Sequence, residues 1–248
     1  MIEIKNISKE YCSDAGFKTV ILKDITLKVP DKKITSVIAP SDSGKSVLLK
    51  IISGLEKQTS GNVANSSSQK IILVPTAPSS FPWLNVYENV KFGLNKYDEK
   101  QIQLLINLVG LEGYSTFHCH NRSLGFRFRI SLARSFAHNP AVILLDEPFG
   151  EMNIQTKNEM LLLIRKVNST LGITFLLATS NITEALFLSD KVYLMKKDPG
   201  EIIAESDVEL SSERDESTYS SEPFNQLRTK ISATFKQIES QKLVNLSI

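Results

Sequence analysis

Residues 39–46 read Ala39-Pro40-Ser41-Asp42-Ser43-Gly44-Lys45-Ser46, and this stretch decides the fold. It fills the template G-x-x-x-x-G-K-[ST] at every fixed position except the first, where Ala39 stands for glycine. The apolar run Ile34 to Ile38 precedes it, and Val47 to Ile52 follows as a helical stretch. Strand, tight loop and helix is the context the template needs. Successive backbone N–H groups then turn inward toward phosphate, and the helix adds its positive end.

A second run supports the first. Ala141-Val142-Ile143-Leu144-Leu145-Asp146-Glu147-Pro148 is a buried-strand pattern that ends in two carboxylates. An ordinary helix start and an ordinary strand end would account for each run alone. In this order and context they point to a nucleotide with Mg²⁺. Lys45 would reach the β- and γ-phosphates, and Ser46 would ligate magnesium. Asp146 would hold the same ion through its water shell, and Glu147 is placed to polarise an attacking water. Ala39, Ser41, Asp42, Ser43, Gly44 and Val47 complete the candidate nucleotide contacts.

The loop departs from the template in ways that have a physical cost. Glycine at its first and middle positions permits positive φ and close approach of phosphate. Ala39 adds a methyl where the turn is expected to be tight. Asp42 adds a carboxylate near polyphosphate. At ~4–6 Å and an effective dielectric of about 20, that repulsion is on the order of 3–4 kcal/mol before screening. Binding is expected to be weakened rather than abolished, because Gly44, Lys45 and Ser46 remain.

At 248 residues the chain can bury a full core. The net charge of +2, with no basic block, gives no case for nucleic acid. No run approaches the length of a membrane span. Met1-Ile2-Glu3-Ile4-Lys5 shows no signal-peptide pattern. Cys12 and Cys119 imply no disulfide framework and suit a reducing compartment. His118-Cys119-His120 has the look of a metal cluster, but no second cluster supplies further ligands. A polar surface stretch is the plainer reading.

Organisation follows from periodicity. Ile2-Glu3-Ile4-Lys5 and Ile25-Thr26-Leu27-Lys28-Val29 alternate as strands, and Ile71-Ile72-Leu73-Val74 is a short strand. The segment from about 85 to 138 reads as helical, an inserted subdomain. Ile143-Leu144-Leu145 and Ile173-Thr174-Phe175-Leu176-Leu177 are buried parallel strands. Between them Met160, Leu161, Leu163, Ile164 and Val167 mark an amphipathic helix. The expected fold is α/β, a mostly parallel core sheet with an antiparallel β part. Residues 1–210 form the main domain, 211–223 a linker rich in Ser, Glu and Asp, and 224–248 a C-terminal amphipathic helix. Phe224, Leu227, Ile231, Phe235 and Ile238 share one face of that helix. It packs on its own domain, or on a partner or membrane surface.

The chain resembles the ATP-binding subunits of ABC transporters, a P-loop NTPase type. More narrowly it resembles the nitrate/sulfonate/taurine/bicarbonate importer group. The resemblance runs over nearly the whole chain. It rests on the two runs above, on Leu22-Lys23-Asp24-Ile25-Thr26-Leu27, and on Phe81-Pro82-Trp83-Leu84-Asn85-Val86-Tyr87-Glu88-Asn89-Val90, the most group-specific stretch. Pro199-Gly200-Glu201-Ile202-Ile203, Glu213-Arg214-Asp215 and Leu227-Arg228 add the C-terminal pattern. The signature L-S-G-G-Q falls on Arg122-Ser123-Leu124-Gly125-Phe126, where Ser123 and Gly125 match. Arg129, Ala133-Arg134 and Glu184-Ala185 also match. The adenine-stacking aromatic falls on Tyr11, which reads equally as a plain loop tyrosine. The coupling Gln falls on Thr76, the Asp of the loop after the carboxylate pair on Asn153, and the switch His on Ser180.

The resemblance implies a motor subunit of an ABC importer for a small anion or organic solute. It would work at the cytoplasmic face of the inner membrane as a peripheral protein. Its expected partners are a membrane permease, a second and more complete ATP-binding subunit, and indirectly a substrate-binding protein. In this family each ATP is sandwiched between one subunit's phosphate loop and the other's signature. Nucleotide framework kept and hydrolytic accessories largely lost imply slow turnover, so an ATPase assignment is left open. A non-hydrolytic nucleotide-binding regulator is the second reading, against which Glu147 stands. A soluble ATPase outside transport is the third, against which the single domain and Phe81-Pro82-Trp83 stand.

Overall fold

A computed structural model describes residues 1–14, 16–65, 70–77, 79–120 and 122–245, with side chains to residue 236. Two sheets organise it. The first is antiparallel, in the order β2 (Lys18–Val29), β1 (Ile2–Cys12), β4 (Ser60–Asn65). The second has the order β5 (Ile71–Val74), β6 (Val142–Asp146), β7 (Thr174–Thr179), β3 (Ile34–Ile38), β8 (Lys191–Lys196), β9 (Glu201–Asp207). Its first five strands are parallel and β9 returns antiparallel. Residues of β3, β6 and β7 are buried throughout, as strands covered on both faces must be.

Helices cover the parallel sheet. α1 (Lys45–Ile52) follows β3, α5 (Ile154–Leu171) joins β6 to β7, and α6 (Ile182–Leu188) joins β7 to β8. The five apolar residues read from α5, Met160 to Val167, are all buried. Burying each such side chain contributes about 1.5–3 kcal/mol. Between β5 and β6 lie α2 (Val86–Lys91), α3 (Glu99–Leu108) and α4 (Leu124–Ala137), the helical segment expected there. α2 begins with a capping box, Asn85 and Glu88 exchanging side-chain and backbone bonds.

Three expectations are corrected. The segment 211–223 is not a free linker. Arg214 is buried and donates to the carbonyls of Leu186, Phe187 and Ser189 at 2.7–3.0 Å. A 3-10 helix, Glu216–Ser220, carries Tyr219, whose ring stacks on Phe187 at 4.8 Å. Buried Arg with carbonyl partners gives no hydrophobic periodicity, so the sequence pattern hid it. Cys119 is likewise not on the surface. It is buried between exposed His118 and His120, and its Sγ donates to Phe81 O at 2.9 Å. No metal-holding group of His, Cys, Asp or Glu occurs among the described residues. Third, Ala39 carries no turn strain: it lies in the core and is not among the positive-φ residues.

The final helix, α7 (Glu222–Asn245), uses the face read from its sequence against the chain's own core. Phe224 and Ile231 are buried there, and Leu227 and Phe235 pack at its edge. Ile238 and residues 246–248 fall outside the described side chains.

Candidate nucleotide site

β3 and α1 hold the loop 39–46 between them. Ala39 N donates to Thr179 O at 3.1 Å, which ties the loop's start to the neighbouring strand β7. Asp42 takes φ 61° and Gly44 φ 89°. Asp tolerates the left-handed region better than most residues, which explains how a carboxylate replaces glycine at the middle of the loop. Gly44 caps α1 without a side-chain bond, and no acidic residue sits in the first turn. The first N–H groups of α1 therefore have no competing carboxylate.

The charged groups converge above this loop. Lys45 is 5% exposed, and its Nζ donates to Ala39 O at 2.9 Å and Pro40 O at 2.7 Å. The same Nζ lies 3.2 Å from Glu147 Oε1. Ser46 Oγ donates to Asp146 Oδ1 at 3.0 Å. Burial raises the Asp146 carboxyl above its ordinary value, and the neighbouring Glu147 adds to this; the Ser46 hydroxyl and Lys45 act the other way. Glu147 sits at φ 43°, its N–H tied to Ala178 O at 2.9 Å. A non-glycine residue in that region at a strand end is a strained, positioned carboxylate. Ser180 Oγ reaches Glu147 Oε2 at 3.5 Å, the outer limit of a hydrogen bond.

A cleft of about 400 Å³ opens here, lined by Ser41 to Val47, Ile21 and Glu147. Its donor set fits the chemistry of a magnesium–polyphosphate. Ser46 and Asp146 offer hard oxygens side by side for a divalent cation. Lys45 and the loop's N–H groups suit phosphate oxygens. Ser43 Oγ is buried and has no partner among the described residues, a hydroxyl left for a ligand. Magnesium would supply charge neutralisation across the phosphates and polarise the bond to be broken.

Other candidate residues lie elsewhere. Tyr11 does not line the cleft: its hydroxyl donates to Glu56, Lys9 Nζ sits 4.7 Å from its ring centre, and its pKa is pushed up to about 12, chiefly by that bond. Ile21 lines the cleft instead, a position that strand alternation alone did not mark as functional. Ser123 and Gly125 are also away from the chain's own loop. Ser123 caps α4 by accepting from Phe126 N at 3.2 Å, and a Cβ on Gly125 would meet Thr156 Cγ2 at 2.4 Å. Leu124 turns back into a crevice with Thr76, Glu151 and Met152, beside Glu147. Asn153 caps α5 through Thr156 N. Thr179 Oγ1 donates to buried Glu184, which pairs with Lys157 at 2.7 Å and fixes the strand end carrying Ser180.

Strand, loop, helix and strand-end carboxylates in this arrangement define a P-loop nucleotide-binding protein. The ABC transporter family model matches residues 22–150. An aliphatic sulfonates import ATP-binding protein, SsuB 2 of Pseudomonas syringae pv. tomato, is 37% identical over 79% of this chain and 84% of its own length. A spermidine/putrescine import ATP-binding protein, PotA of Clostridium novyi, is 36% identical over 82% of this chain, which spans 60% of that longer relative. The dimeric structure of MJ0796, a bacterial ABC transporter cassette, superposes with a TM-score of 0.72 at 27% identity, covering 85% of this chain and all of that one. The chain belongs to the ABC transporter family, among its ATP-binding subunits.

Proposed function

We propose that this chain is the ATP-binding motor subunit of an ABC importer for a small anion or organic solute. It binds ATP–Mg²⁺ at the loop 39–46 and hydrolyses it slowly. Lys45, Ser46 and Asp146 hold the nucleotide and ion, and Glu147 orients water. Ser123 and Gly125 serve the nucleotide of a second, more complete ATP-binding subunit. The chain works beneath a membrane permease at the cytoplasmic face; no helix among its described residues is long and apolar enough to cross a membrane. The sulfonate and polyamine relatives support an import role, and their differing solutes leave selection to the permease and its binding protein.

The observation that carries the reading is the meeting of Lys45, Ser46 and Glu147 at one cleft, with Asp146 directly behind it on the Ser46 hydroxyl. Short Thr76 and Ser180 support slow turnover, since neither spans what Gln or His spans. Titration of the full chain with ATP, with and without Mg²⁺, tests the site. Binding should require Lys45 and tighten with magnesium. A non-hydrolytic regulator is the second reading. Glu147, held beside the phosphate-side lysine, favours the first, and measurable phosphate release that vanishes in Glu147→Gln separates them.

A further inference from the structure

The turn between β8 and β9 passes directly behind the phosphate loop. Gly200 N donates to Ile21 O at 2.8 Å, and Lys23 N donates to Gly200 O at 2.9 Å. Leu22 and Gly200 thus form a parallel bridge outside the main sheets. The other side of the same β2 residues faces the loop: a Cβ on Gly44 would meet Leu22 Cδ2 at 2.8 Å and Ile21 Cγ2 at 2.9 Å. Gly200 also touches the loop itself. A Cβ there would stand 2.4 Å from the Ser43 carbonyl oxygen, 3.0 Å from Leu22 Cδ2 and 3.2 Å from Ile21 O.

Conformation does not explain this glycine, because Gly200 is not among the positive-φ residues. Space alone does. The nearest atom is backbone of the phosphate loop, which cannot swing aside as the tip of a long side chain can. We propose that Gly200 is a positioning residue of the nucleotide site. The β8–β9 turn is the rear wall of the phosphate loop, and it sets where the N–H groups of Ser43 and Gly44 stand. The proposal rests on the nucleotide reading of the cleft, but the wall can be tested without nucleotide.

Gly200→Ala in the full chain is the test. Without nucleotide, hydrogen–deuterium exchange in the peptide covering 39–46 should rise severalfold over the unaltered chain. Unchanged exchange overturns the proposal. ATP affinity should fall at least tenfold, while AMP, which lacks the outer phosphates, loses little. Equal loss of both overturns it. Adding Leu22→Val should not restore ATP affinity, because the clash is with the Ser43 carbonyl; restoration would place it on Leu22 instead. Ile202→Ala loosens the hairpin without adding an atom, and covers the case in which Gly200→Ala does not fold. Exchange in 39–46 should rise there too, and no rise overturns the wall. If the unaltered chain fails to bind ATP while exchange responds as stated, the nucleotide reading fails and the wall stands.

Discussion

Lys45 and Glu147 form an ion pair at 3.2 Å, with the lysine almost fully buried and the carboxylate a quarter exposed. The group expected to hold phosphate is thus held by the group expected to orient water. Lys45 also donates to two loop carbonyls, so its charge is satisfied within the chain. Phosphate must replace these partners. A buried lysine released from one anion to another loses little desolvation energy in the exchange.

The pair predicts opposite effects on binding and turnover. Glu147→Gln keeps the shape and removes the competing charge. ATP affinity should rise severalfold, and residual phosphate release should disappear. Lys45→Ala should weaken ATP binding by tenfold or more, since a charge-assisted bond contributes about 1.5–3 kcal/mol. Filter binding and a phosphate-release assay on the purified chain read both. Turnover at the level of complete relatives would show that Thr76, Asn153 and Ser180 are compensated.

Asp146 carries a cost that pH exposes. Burial raises its folded-state pKa above the unfolded value, so the folded state takes up a proton more readily. Its contribution to stability is full at pH below the unfolded value and is lost as pH rises through the folded one. At neutral pH the buried charge is therefore destabilising. Asp146→Asn should raise the Tm of the nucleotide-free chain by a few degrees at pH 7. The gain should shrink as pH falls through the carboxylate range, and magnesium-dependent tightening of ATP should be gone. Thermal melts from pH 4 to 8 check the sign.

The site was largely legible because its chemistry follows the chain's order. A loop template between strand and helix, and carboxylates at a strand end, are enough to bring Lys45, Ser46, Asp146 and Glu147 together. What stayed hidden depended on contacts distant in sequence. β4 carries Gly61 and two adjacent apolar residues, Val63 and Ala64, so no alternation announced it. Ile21 reaches the loop from β2 and Gly200 from the β8–β9 turn. Arg214 satisfies carbonyls at the end of α6, a role that periodicity cannot show. Ala39 takes no positive φ, and Asp42 is the residue that takes the left-handed turn.

Asn89 and Trp83 give a prediction about assembly. Buried Asn89 donates to the carbonyls of Phe81, Leu84 and Asn85 at 3.0 Å and accepts from Phe81 N at 2.7 Å. That network presents Trp83, 69% exposed, on a fixed loop beside Phe81. Asn89 and Cys119, not Trp83, hold the loop to the helical segment. Trp83→Ala should release the permease with nucleotide affinity unchanged, because exposed aromatics on rigid loops anchor interfaces. Asn89→Ala should release it too, while costing about 2–3 kcal/mol of stability for the polar groups left unpaired. Co-purification with urea melts on each variant separates the two effects. Full assembly with Trp83→Ala would remove the loop from the interface.

The last prediction is pairing with a different ATP-binding subunit. Paired with itself, this chain would put Asp42 and Ser180 opposite Leu124 and Phe126 at both nucleotides. Paired with a complete paralogue, each nucleotide keeps one sound half. The site made of the partner's loop and this chain's signature keeps the partner's switch His and coupling Gln. Its weakness lies in the signature positions that depart from the family pattern, Leu124 and Phe126 among them, and Leu124 lines a crevice of its own chain with Thr76 and Met152. Ser123 retains its cap position at the start of α4. That site should carry most of the turnover. The site on Lys45 should hold nucleotide longer, with Ser180 only at the limit of contact with Glu147. Replacing the phosphate-loop lysine in each subunit in turn decides the matter. Transport should collapse when the partner's lysine is lost and only decline with Lys45→Ala. Equal loss from both, or a fully active homodimer, would exclude the asymmetric arrangement.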